Sequence, residues 1–518
     1  MSKKKQKIWK AVADIVQNTC FMMDYPLRFF FEEWPKLGLG KKFNEYFTYF
    51  KGDFSQMVYV AWEFDDQTEF MAKKVIKKPV WAYGLLKKVE DYSTEFFREM
   101  KKVKKLPLSK MSNAEIIKFL KKVGKIHSWQ HGLGAALSWH ADAEGERVTK
   151  AVMAVIEERL KKSSVKKSLA EVFSLITTPL RESLIQTEEK SFLKVAQSIS
   201  QQKKMKKVFI QSDLDELVNN LKGLDRRTYR KILTHYNKFA PLTYQYKGPA
   251  FPLSDYVGRW QALLRDGALP NKLLRELERE SQKLKKEQQK LIKSLNFTFQ
   301  ESNLIKVAQY MMFIKDYRKN ALYNAMYYYE FIFKEIGKRL HLSVGQIQAM
   351  GFKEIVQALQ SGKVNTDELN QRQKEAVAYW VRKPQGVKDK ILVGKEMKNF
   401  LKKIVWQKIN TESDELKGTC AYPGKVTGIV KIINTPDQMN KMENGNIMVA
   451  HNTNPNLVPA MKKATAIIGG AGGLTCHSAI VAREMRIPCV VGVANCDRIL
   501  KDGDKVEVDA DKGVIRKI

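Results

Sequence analysis

Along most of the chain, apolar residues return every three or four positions, and this spacing predicts amphipathic helices over 113–123, 147–161, 167–173, 213–221, 272–295 and 303–340, separated by Pro, Gly or Ser/Asn breaks. Few segments in this part alternate with the period of two that marks strands. Residues 1–395 therefore read as one large all-α domain. The stretch 273–294 is so charged that it predicts an exposed helix or one arm of an antiparallel hairpin. Beyond Lys383-Pro384 the pattern weakens, and the Lys-rich segment 396–415 reads as a hinge or linker. After Gly418 and Pro423-Gly424, short β-branched runs predict strands over 426–433, 447–450, 466–468, 489–493 and 505–508, with helices over 457–463 and 478–485. The fold class that follows is multidomain: a large all-α N-terminal domain, then a compact α/β domain over 416–518.

Composition adds a charge and removes some classes of function. The 518 residues are 44% hydrophobic and carry a formal net charge of +35, ample for ordinary cores and strongly basic. From Thr411 onward acids and bases nearly balance, so the excess belongs to the helical part. A basic surface attracts nucleic acid, acidic lipid or phosphorylated ligands. Here the lysines are scattered at helical spacing, as in Lys101-Lys102-Val103-Lys104-Lys105, so solvated helix faces are the first reading and nucleic acid the second. No uninterrupted apolar run reaches the roughly 18 residues of a membrane span. The basic N-terminus is followed by a segment broken by Lys10, Asp14, Gln17 and Asn18, unlike a signal-peptide core. Five cysteines without CxxC pairing point to a reducing cytoplasm and to no structural zinc.

The sharpest chemistry lies in Gly472-Gly473-Leu474-Thr475-Cys476-His477-Ser478. An expected strand, Ala466-Ile467-Ile468, runs into four glycines among the five residues 469–473, which allow a sharp turn and close approach of backbone to an anion. A helix-like pattern then starts near Ser478, which puts His477 at its N-terminus with Thr475 and Ser478 as capping hydroxyls. Free N–H groups and the helix dipole favour a phosphate there. Neutral imidazole is a nucleophile near neutral pH and a good leaving group afterwards, so His477 suits a reversible phosphoryl carrier.

This segment resembles the phosphohistidine swivelling domain of phosphoenolpyruvate synthase, pyruvate phosphate dikinase and rifampicin phosphotransferase, over roughly the last hundred residues. The other landmarks occur in order: Gly418, Tyr422-Pro423-Gly424, Gly428, Gly445-Asn446-Ile447-Met448-Val449-Ala450, Thr453-Asn454-Pro455, Pro459, Asp502-Gly503-Asp504, Val508-Asp509 and Gly513-Val514. The resemblance implies a phosphotransferase with His477 as the phosphorylated residue, supported by Gly472, Gly473, Thr475, Cys476 and Ser478, with Thr475 where the dikinases carry a regulatory threonine. In such enzymes the donor is ATP with magnesium on an ATP-grasp domain, or phosphoenolpyruvate on a barrel. Neither domain is legible along this chain, which implies a separate ATP-grasp subunit as partner and no cofactor bound here.

The layout of a helical segment followed by the carrier resembles rifampicin phosphotransferase without its ATP-binding part, and implies a small-molecule acceptor on the helical domain. The aromatic and imidazole-rich segment 127–140 could line its pocket, with Trp129, His131 and Trp139 as candidate contacts. A second candidate is the helix 303–340, with Arg318 among Tyr310, Met311, Met312, Phe313 and Tyr317. His127 and His131 share a helix face at i, i+4, as metal ligands would, yet packing histidines show the same spacing, and no metal is assigned. Residues 234–249 are a weaker candidate. The alternative function is a phosphocarrier regulator, or an RNA- or protein-binding protein, that uses the basic helical domain without an acceptor of its own.

Overall fold

The computed structural model describes residues 7–518 apart from 41, 143–146, 408–414, 452, 454–456 and 471–475; for Val16, Ser138, Trp139, Leu224, Pro436, His477, Ile480, Arg483 and Glu484 it describes the backbone alone.

The helix-dominated N-terminal region follows the expected pattern closely. The expected helix at 147–161 is Arg147–Lys161, 272–295 widens to Pro270–Leu295, and 303–340 widens to the 42-residue Phe299–Leu340. Local sequence fixes several of these starts. Ser112 and Glu115, Ser168 and Glu171, and Thr298 and Glu301 form reciprocal capping boxes that satisfy N–H groups the helix itself leaves unpaired. The long helix packs against Pro79–Lys101, which in turn packs on Asn113–Ala135. Phe21 seals the centre edge-on against Tyr329 and Phe333, at ring distances of 5.0 and 4.8 Å. Helices between Leu184 and Leu277 close a separate core around Phe192, Tyr256 and Trp260.

The all-α reading needs one correction. The region also holds a six-stranded sheet, ordered Gly386–Leu392, Glu375–Lys383, Glu45–Lys51, Phe54–Val60, Ile8–Val16 and Val405–Trp406. Every pair is antiparallel except the last, where Ile8 and Trp9 run parallel to Val405 and Trp406. In Glu45–Lys51 the residues Tyr46, Phe47 and Thr48 are buried in succession, so both faces are covered and no alternation marks the strand. The helix Gly394–Lys402 runs into the segment read as a hinge, and its Phe400 packs on Phe47 and Tyr379.

The C-terminal part is an eight-stranded sheet, ordered Glu415–Lys417, Val514–Lys517, Lys505–Asp509, Lys425–Ile432, Ile447–Ala450, Ala466–Gly469, Cys489–Val491 and Thr419–Tyr422. Its four consecutive central strands, Lys425–Ile432 to Cys489–Val491, are parallel and its flanks antiparallel. The parallel strands Ile447–Ala450 and Ala466–Gly469 are buried at every position, as continuous apolar runs should be. The expected strands and the helix over 478–485 all appear here, with ends shifted by a residue or two.

Candidate functional site

In an open α/β sheet the crevice beyond the carboxyl ends of parallel strands is where ligands gather. Two neighbouring parallel strands end there at Ala450 and Gly469, and the Gly470 N–H donates to the Ala450 carbonyl at 2.8 Å. A Cβ on Gly470 would lie 3.3 Å from His451 Cα and 3.2 Å from Cys496 Sγ, so this position leaves little room for a side chain. Gly472, Gly473 and Thr475 fall outside the described residues. His477 opens the helix His477–Met485, and its side chain is likewise outside them.

Cys476 and Ser478 are held together, with Sγ and Oγ 2.9 Å apart. Ser478 is buried, and its Oγ would lie 3.1 Å from a Cβ on Gly469. That glycine therefore lets the helix start sit directly on the strand end. Ser478 faces inward against the strand end.

A cluster that the sequence reading missed lies beside Gly470. His451 follows its strand directly, and its Nδ1 lies 3.6 Å from Asp497 Oδ1, an ion-pair distance rather than a formed hydrogen bond. Burial pushes the His451 imidazole down, but Asp497 outweighs it and holds the group above its ordinary value. Burial pushes the Asp497 carboxyl up, and His451 with Arg498 brings it below the usual range. Arg498 reaches across to Asp14 on the N-terminal sheet at 3.6 Å. The available signal was a histidine directly after a buried strand and two residues before Thr453.

In the helical region, two of the four expected contacts meet although 187 positions separate them: Arg318 Nη1 lies 3.2 Å from His131 Nδ1. Arginine can only donate, so His131 Nδ1 accepts and the ring proton sits on Nε2. Burial first, then the Arg318 charge and His127, push the His131 imidazole well below its ordinary value, so it is neutral. Gln130 Nε2 donates to the Arg318 carbonyl at 2.6 Å, which ties the two helices at the same level. Trp129 goes elsewhere and packs on Phe29 and Tyr92 at ring distances of 5.4 and 5.6 Å. The Trp139 side chain lies outside the described residues. His127 is fully buried between Tyr25 and Phe96, and burial pushes its imidazole down to about 3. His235, in the weaker candidate segment, is a core residue bonded to Ser191 Oγ at 2.9 Å. Among the described residues no three His, Cys, Asp or Glu side chains converge as metal ligands.

Comparison with known proteins supports the reading of the C-terminal sheet. Residues 442–513 match the family of the PEP-utilising enzyme, mobile domain. The chain is 48% identical over 100 residues to a probable phosphoenolpyruvate synthase of Archaeoglobus fulgidus, covering 19% of this chain and 13% of that protein. It is 46% identical over 100 residues to one of Methanothermobacter thermautotrophicus, covering 19% and 15%. The phosphoenolpyruvate synthase of Pyrococcus furiosus gives 46% over 102 residues, covering 20% and 12%. The matched stretch thus spans less than a sixth of each of these relatives. The match to the PEP-utilising enzyme mobile domain lies on residues 442–513 of the C-terminal sheet.

Proposed function

We propose that this chain is the carrier and acceptor component of a phosphotransferase. The observation that carries the reading is the family match at 442–513, on a sheet whose neighbouring parallel strands end at Ala450 and Gly469, shortly before the helix that His477 opens. A ring nitrogen of His477 attacks the transferable phosphorus of ATP bound by a separate ATP-grasp partner; the P–N bond forms as the P–O bond to the nucleotide breaks. The acceptor hydroxyl then attacks the same phosphorus, breaks the P–N bond and releases neutral imidazole, its own proton passing to solvent or a nearby base. Magnesium and nucleotide are assigned to the partner. This chain supplies position and charge, as phosphoryl transfer chiefly requires. We place the swing in the linker expected over 396–415, beyond the helix Gly394–Lys402, and the acceptor at His131 and Arg318.

Incubation of the full chain with ATP and its ATP-grasp partner should give an acid-labile phosphoprotein that is absent in His477→Ala. Label that survives this substitution refutes the carrier assignment.

A further inference from the structure

Two helices of the separate core around Phe192, Leu184–Ser200 and Arg226–Thr243, flank an open groove of about 940 Å³. Its walls are pinned together. Buried His235 on the second helix bonds Ser191 Oγ of the first at 2.9 Å and Glu188 Oε1 at 3.2 Å. Phe192 and Ile232, one from each helix, belong to the same apolar core. The groove is therefore set by packed helices.

Five cations line it: Lys194 from one wall, and Arg226, Arg227, Arg230 and Lys231 from the other, all of them exposed. Three arginines thus fall within five positions, in a chain that has 20 arginines against 71 lysines. Arg226 and Arg230, like Arg227 and Lys231, stand four positions apart, a spacing at which like charges on a helix repel, so folding alone does not favour the group. Among the described residues no carboxylate is in ion-pair contact with any of the five. Asp225, the one acid on the lining, caps the second helix through the Arg227 and Thr228 N–H groups at 3.3 and 2.8 Å. Glu188, besides bonding His235, holds Arg259 at 3.0 Å.

Shape and lining together select the ligand. At about 1.5 Å of rise per residue, the wall from Arg226 to Thr234 runs about 12 Å, and a nucleic-acid strand advances about 3.4 Å per phosphate, so about three or four phosphates match that length. Charge strung along an open groove suits a chain of phosphates better than a single anion. Arginine also meets phosphate oxygens two at a time. Among the described residues Val195 is the one apolar group on the lining, and no Phe, Tyr or Trp is present, whereas protein interfaces centre on such side chains. The same lack leaves no platform on which bases could stack.

We propose that this groove binds the sugar–phosphate backbone of nucleic acid without reading its bases. Arg226, Arg227 and Arg230 hold successive phosphates, Lys231 adds to the field, and Lys194 retains the strand from the facing wall. This activity goes beyond phosphoryl transfer and does not depend on His477.

The test is fluorescence anisotropy of the full chain with a labelled mixed-sequence RNA of about 12 nucleotides, the matching DNA, and a polyglutamate of equal charge. At least one nucleic acid should bind, with log K falling against log salt at a slope of about −2 to −3, as about three or four neutralised phosphates require. The tighter of RNA and DNA names the source of the backbone. Arg226→Gln, Arg227→Gln and Arg230→Gln together should weaken binding about tenfold or more at about 0.1 M salt and flatten the slope by about 2. Lys194→Gln should weaken it too, and serves where the triple variant does not fold. Lys285→Gln, Lys286→Gln and Lys290→Gln together remove the same charge from exposed positions of Pro270–Leu295, and should leave affinity within about twofold. Failure of both nucleic acids to bind, equal binding of polyglutamate, strong dependence on base sequence, affinity unchanged in both groove variants, or an equal loss in the Lys285, Lys286 and Lys290 variant overturns the proposal. His477→Ala should bind normally, so loss of phosphohistidine labelling and loss of nucleic-acid binding are read separately.

Discussion

Substituting Gly513 by alanine tests the close backbone approach that ties the two ends of the C-terminal sheet together. Gly513 has φ of +66°, and its carbonyl accepts the Gly418 N–H at 2.8 Å. A Cβ there would lie 2.3 Å from the Gly418 carbonyl oxygen. The left-handed conformation costs an alanine about 1–2 kcal/mol. The overlap is with backbone on both sides, so no rotamer relieves it, and strain of about 1–3 kcal/mol follows. The restricted unfolded chain returns about 0.4–1 kcal/mol. The net loss expected for Gly513→Ala is about 1–5 kcal/mol, centred on this domain. Gly503 is the internal control: its φ is +96° and nothing lies within 4 Å of its would-be Cβ, so Gly503→Ala carries the backbone cost alone. Native-state hydrogen exchange at the amides of Lys425–Ile432 and Lys505–Asp509 reads domain stability without unfolding the helical region. Equal losses in the two variants would show that the close approach at Gly513 is not what makes that position glycine.

Two other perturbations have signs set by the structure. Arg372 forks between Glu354 at 2.7 Å and Glu368 at 2.6 Å, with the two carboxylate side chains 37% and 33% exposed. Arg372→Ala leaves charges that can partly turn to water, so denaturant unfolding should show a loss of about 2 kcal/mol, below the range for a fully buried pair; a change within about 0.5 kcal/mol would make the fork irrelevant to stability. The raised His451 contributes stability that is complete below its ordinary value of 6.5 and is lost as pH rises through its folded value, while the lowered Asp497 contributes above 3.8 and loses it as pH falls. Domain stability should therefore decline on the alkaline side of His451, and His451→Gln should flatten that limb; an imidazole titrating at or below 6.5 by NMR rules this out.

The C-terminal domain was legible because its information is local. Strand ends, glycine positions and the helix start at 477 follow one another in sequence, and the sterics at Gly513 and Gly418 explain why those landmarks are glycine. The N-terminal sheet was not legible, since Glu45–Lys51 pairs with Glu375–Lys383 across more than three hundred positions, and its covered faces erase the alternation that would mark it. Helix periodicity placed Arg147–Lys161 to the residue because the apolar stripe and the polar break coincide there. Of the acceptor candidates, segment 127–140 and Arg318 were each visible, but their meeting depends on how two helices cross at Gly134. His451 was overlooked because a single histidine after a strand has no pattern until Asp497 and Arg498 arrive from another element.

The parallel ladder of Ile8 and Trp9 with Val405 and Trp406 fixes where the chain leaves the first sheet. Trp406 is the last residue held by the first sheet, its neighbour Gln407 donating one bond to the Trp9 carbonyl at 2.8 Å, and Glu415 is the first held by the second. Fully extended, the chain between them covers at most about 30 Å. On the proposed role, that length and the size of the domain bound how far a phosphoryl group can be carried from this anchor. Val405 and Trp406 are 42% and 43% exposed, so the knot is small and open to water. Letting it slip would pay out further chain up to the helix end at Lys402, and the carrier's range would lengthen with no change at the histidine.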